Sequence, residues 1–116
     1  MARQRYYILE GHEPAPATLH EWGQWFSEAD RRVAFTDLGY ATVSTVFLGV
    51  DHRYMGGGPP ILFETMVFAN PVKGERFPEE AFDISDRYCT WEEAEFGHVA
   101  IVTMVRQAFW RRANGR

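Results

Sequence analysis

Two runs of residues constrain this chain more than any other feature. Tyr40–Val50 (YATVSTVFLGV) and Ile61–Ala69 (ILFETMVFA) are dense in β-branched and aromatic side chains. Between them lies Asp51–Pro60 (DHRYMGGGPP), with three glycines and two prolines. β-branched and aromatic groups suit a pleated surface, while a Gly- and Pro-rich stretch can continue neither strand. The pair therefore predicts a long-looped antiparallel hairpin. Apolar groups occupy both parities of the first run, which predicts a central strand covered on both faces.

After Thr90 the periodicity changes. Trp91, Ala94, His98, Ile101, Val102, Val105, Ala108 and Phe109 recur at helical spacing, with Met104 on the flank. Thr90 and Glu93 have capping-box spacing; Glu92 and Glu93 begin the segment and Arg111 and Arg112 end it, as a helix macrodipole favours. A long helix from Thr90 to about Arg112 is expected. Thr18 and Glu21 repeat the box ahead of Leu19, Trp22, Phe26 and Ala29, with Trp25 beside them, predicting a short helix. Arg5–Glu10, Arg32–Thr36 and Ile84–Tyr88 read as further strands. Gly11–Ala17, with Pro14 and Pro16, reads as a connection, and Asn70–Asp83 as a surface excursion. The expected fold is a single α+β domain over residues 1–116. It has a mostly antiparallel sheet of about four strands, a short N-terminal helix, and a long C-terminal helix across one face.

Composition excludes several functions. At 116 residues there is room for one core, and nine Phe, five Tyr and four Trp fill it without disulfide or metal. A net charge of −4 argues against a nucleic-acid partner. The Arg106, Trp110, Arg111, Arg112, Arg116 cluster reads as a solvated helix end. Cys89 is the single cysteine, which suits a reducing compartment. The absence of an 18-residue apolar window and of a signal-peptide core predicts a soluble, cytoplasmic protein without a membrane partner. Gly56-Gly57-Gly58 lacks the Lys-Ser/Thr ending of a phosphate loop, and no Gly-x-Ser-x-Gly elbow surrounds Ser44. No cofactor, resident metal or catalytic residue is assigned, and a non-enzymatic role is favoured.

The chemistry-bearing set is Asp51, His52, Glu64, Glu95 and His98. Glu95 and His98 have the Glu-x-x-His spacing that places both on one helix face. If the helix crosses the open end of the hairpin, His52, Glu64, Glu95 and His98 could form a metal or small-molecule site. The reading preferred over such a site is structural: a buried His98 hydrogen-bonded to Glu64 or Glu95. Gly97 would then mark close approach of a neighbouring backbone. Glu75, Glu79, Glu80, Asp83 and Asp86 form an acidic stretch suited to docking a basic surface.

Three segments taken together carry a resemblance: Ser44–His52 (STVFLGVDH), Leu62–Phe68 (LFETMVF) and Arg87–His98 (RYCTWEEAEFGH). Their succession is similar to a family of small, mostly uncharacterised bacteriophage and prophage proteins. The resemblance implies a phage-encoded setting in a bacterial host cytoplasm, and no particular chemistry. The expectation is a non-enzymatic accessory protein that binds a host or phage protein, the alternatives being the His52/Glu64/Glu95/His98 binding site or a minor structural component of the particle. One helix on one sheet also leaves the second sheet face in need of cover, which a homodimer would supply.

Overall fold

The computed structural model describes residues 3–70 and 84–114. In chain order the elements are β1 (Tyr6–Glu10), β2 (Glu13–Ala17), α1 (Leu19–Glu28), β3 (Arg32–Asp37), β4 (Ala41–Phe47), β5 (Phe63–Ala69), β6 (Asp86–Tyr88) and α2 (Trp91–Asn114). β3, β4, β5 and β6 form an antiparallel sheet in that order, and β1 and β2 form a separate hairpin. The fold is α+β, with the short helix near the N-terminus and the long one at the C-terminal end, as expected.

β2 departs from the expected connection. Its prolines, Pro14 and Pro16, lie opposite Leu9 and Tyr7. Two residues apart on an edge strand, both turn their missing N–H groups to the side that no strand pairs. Gly11, at φ +65°, makes the tight turn. The hairpin is fastened to the chain leaving β4: Tyr7 N–H donates to Gly49 O at 2.9 Å and Asp51 N–H to Arg5 O at 2.9 Å.

β4 and β5 pair through their full lengths, from Ala41 opposite Ala69 to Phe47 opposite Phe63. β4 is central, but only one of its faces is fully buried. Ala41, Val43, Thr45 and Phe47 face α2, while Thr42, Ser44 and Val46 are half-buried on the other side. The sequence expectation of cover on both faces fails because α2 is a single helix and packs on one.

Ala94, His98, Ile101, Val102, Val105 and Ala108 of α2 are buried against that face. They complete two apolar clusters. One joins Ile101, Val102 and Val105 to Ala41, Val43 and Val67; the other joins Ala94 to Phe47, Leu62, Phe63 and Tyr88. Tyr40 stacks on Phe109 at 3.7 Å between ring centroids, extending the first cluster toward the end of the helix.

Both predicted capping boxes form. Glu21 N–H donates to Thr18 Oγ1 and Thr18 N–H to Glu21 Oε1; Glu93 N–H donates to Thr90 Oγ1 and Thr90 N–H to Glu93 Oε1. α1 contains no fully buried residue, and Leu19, expected on its apolar stripe, is exposed. Its first turn sits beyond the surface that Trp22, Trp25 and Phe26 cover.

Candidate functional site

The polar centre of the molecule lies between the two apolar clusters. His98 is 5% exposed. Its Nε2 is 2.8 Å from Thr36 Oγ1 and its Nδ1 is 2.7 Å from Thr45 Oγ1. Thr45 Oγ1 lies 2.5 Å from Thr65 Oγ1, which is 3.1 Å from the Tyr88 hydroxyl. Each strand of the four-stranded sheet thus contributes one hydroxyl, and His98 from α2 bridges two of them. The register explains the row: Thr45 is directly opposite Thr65, with Val43–Val67 and Phe47–Phe63 on either side.

Burial holds the His98 imidazole below its ordinary pKa and raises that of the Tyr88 phenol. Both are neutral at pH 7. A neutral imidazole has one N–H and one bare nitrogen, so one threonine accepts from His98 and the other donates to it. The row therefore satisfies itself with no charge left over, which suits a structural link across the sheet.

The carboxylates expected as His98 partners lie elsewhere. Glu64 is opposite Val46, on the face away from α2, and accepts from Arg87 Nε at 2.7 Å. Glu95 is exposed on α2. His52 is held by its own turn, Nδ1–H donating to Val50 O at 2.7 Å, beside the Tyr54 ring. His52, Glu64, Glu95 and His98 do not converge, because sheet alternation sends Glu64 to the wrong face and helical rotation sends Glu95 to solvent. Among the described residues, no group of three or more His, Cys, Asp or Glu is placed to hold a metal ion. Gly97 also has a different cause from the one expected: the Tyr88 ring, not a backbone, lies against it.

Asp51 is a latch. It is 3% exposed, and Oδ1 accepts from the backbone N–H of Arg53 at 2.8 Å and of Ile61 at 2.9 Å. Oδ2 pairs with Arg3 Nε at 2.7 Å. Desolvation alone would raise its pKa, but the two amides and Arg3 together outweigh it, and the carboxyl sits below its ordinary value. One buried carboxylate thus closes the whole loop between β4 and β5. A shallow cavity of about 160 Å³ opens beside it, lined by Arg3, Arg5, Asp51, Arg53 and Tyr54. Arg3 and Arg53 spend donors on the Gly58 and Pro59 carbonyls, so the cavity wall is largely loop scaffolding.

The sheet face away from α2 is the more open feature. Phe35, Ser44 and Met66 form one row across β3, β4 and β5, and Thr42 and Phe68 the next. Phe35, Met66 and Phe68 are each 44–49% exposed. Arg32 lies over the Phe35 ring at 4.4 Å, and the Glu64–Arg87 pair borders the patch on the β6 side. Of the acidic docking stretch, Glu75, Glu79, Glu80 and Asp83 lie outside the described residues. Asp86 is exposed and accepts from Arg87 N–H.

Thr36, Thr45, Thr65 and Tyr88 were invisible as a set in the sequence, where threonines in strands are ordinary β-formers. The available signal was parity: Thr45 shares the alternate positions of Val43 and Phe47, an odd place for a hydroxyl without a partner. No helix among the described residues is long and apolar enough to cross a membrane. Compared with family models, curated proteins and solved structures, the chain matches none.

Proposed function

We propose that this chain is a non-enzymatic protein-binding domain whose partner seats on the open face of the four-stranded sheet. The observation that carries this reading is the adjacency of Phe35, Met66 and Phe68, half-exposed on a face where a solvated sheet would carry polar groups. Aromatic residues, Met and Arg are the types enriched at the centres of protein interfaces, and all three occur here. The buried His98 row is internally satisfied and the Asp51 carboxylate is fully engaged, which leaves the surface as the functional element. The likeness of three segments to phage and prophage proteins supports a host or phage protein as partner, met in the bacterial cytoplasm.

The test is affinity capture from infected and uninfected host cells, with the Met66→Glu/Phe68→Glu double variant beside the wild type. A partner retained by the wild type and lost by the variant, at unchanged melting temperature, is expected. Equal recovery by both would overturn the assignment to this face.

A further inference from the structure

The long helix carries a second apolar stripe. Phe96, Val99, Thr103 and Trp110 point away from the sheet, opposite the buried residues, and follow the three-four spacing of a coiled-coil seam with Arg106 completing it. Phe96 is 84% exposed, Val99 65% and Trp110 64%. Phe96 and Trp110 alone leave on the order of 300 Å² of aromatic surface in water. A helix packed on one sheet needs one apolar face; this one has two.

Charge decides what the second face fits. All the acids of α2, Glu92, Glu93 and Glu95, lie in its first five residues. All its bases, Arg106, Arg111 and Arg112, lie in its last nine, and no charged residue intervenes. This order complements the helix's own macrodipole, which accounts for the charges but not for Phe96, Val99 and Trp110. Two such helices laid antiparallel bring the acidic start of each beside the basic end of the other, and centring them at Thr103 sets Phe96 near the opposite Trp110. Laid parallel, they would bring like charges together.

We infer that the outer face of α2 pairs antiparallel with the same helix of a second copy, through Phe96, Val99, Thr103 and Trp110, making a two-fold dimer. Its interface is separate from the open sheet face and leaves that face free. An isologous contact of this kind closes on itself and does not propagate. A pair of helices about 36 Å long buries less than the roughly 800 Å² per partner of a standard interface, so the expected dimer is a weak, reversible one.

Sedimentation equilibrium tests the inference. The wild type at about 100 µM should be largely dimeric. Phe96→Glu/Trp110→Glu should weaken association more than tenfold, and at concentrations low enough for the wild type to be monomeric the two should share one melting temperature, since both side chains are exposed in the monomer. Phe68→Glu should leave it unchanged. Glu92→Lys/Glu95→Lys and Arg106→Glu/Arg111→Glu should each be monomeric, and an equimolar mixture of the two should form a heterodimer. A monomeric wild type, or a dimer lost with Phe68→Glu and kept with Phe96→Glu/Trp110→Glu, would overturn the inference. A mixture that remains monomeric would overturn the charge pairing on which it rests.

Discussion

Replacing Gly97 with alanine is expected to destabilise the protein, although alanine is the better helix former. In an exposed helix interior the change gains about 1 kcal/mol from propensity and reduced unfolded-state freedom. At Gly97 a Cβ would overlap Cε1, Cζ and the hydroxyl of Tyr88, far inside the roughly 3.5–4.0 Å of a relaxed contact. The ring has little freedom to retreat. Tyr88 O accepts from Leu62 N–H at 3.0 Å, its residue pairs with Phe63, and its hydroxyl is bound to Thr65. Displacement therefore adds an overpacking cost of about 1–3 kcal/mol and the loss of one hydrogen bond, about 1 kcal/mol. The balance is a net loss of about 1–3 kcal/mol. Urea unfolding measures it directly. Combining Gly97→Ala with Tyr88→Leu isolates the cause, because without the ring the alanine should stabilise by up to about 1 kcal/mol. If Gly97→Ala raised stability in the wild-type background, or had the same effect in both, the steric reasoning would be refuted.

Other perturbations probe the remaining contacts. His98→Ala should lower stability by about 1–3 kcal/mol by removing the side-chain partner of Thr36 and one of the two partners of Thr45, as measured by denaturant unfolding. Because burial depresses the folded-state pKa of His98, the unfolded chain binds its proton more readily. Its contribution should be complete above about pH 6.5 and decline as pH falls through the lowered folded value; His98→Gln should flatten that part of the stability–pH curve. Asp51→Ala should cost about 3 kcal/mol, since it leaves two part-buried amides without their acceptor, and should expose the Asp51–Pro60 loop to limited proteolysis. Thr90→Ala should cost about 1 kcal/mol through loss of the α2 cap, detected as a lower melting temperature.

Where local rules decide the outcome, the residues were readable. Thr18–Glu21 and Thr90–Glu93 specify helix starts because a cap satisfies donors within three residues of itself. The β4–β5 pairing followed from two β-rich runs flanking a Gly- and Pro-rich stretch. β2 is not legible in the sequence because proline ordinarily interrupts a strand, and only the placement of Pro14 and Pro16 on an unpaired edge makes them harmless. That His98 would be buried could be read from its place on the apolar stripe of α2. Its partners could not, because Thr36, Thr45, Thr65 and Tyr88 come from four strands whose register sets which side chains stand opposite one another. A one-residue slip between β4 and β5 would put Thr45 and Thr65 on opposite faces of the sheet. Glu64 illustrates the same dependence: in sequence it is an apt partner for His98, and alternation along β5 alone puts it across the sheet. Periodicity and capping are properties of neighbouring residues. Which hydroxyl meets which imidazole depends on contacts between strands distant in sequence, and these exist only once the sheet and α2 are packed.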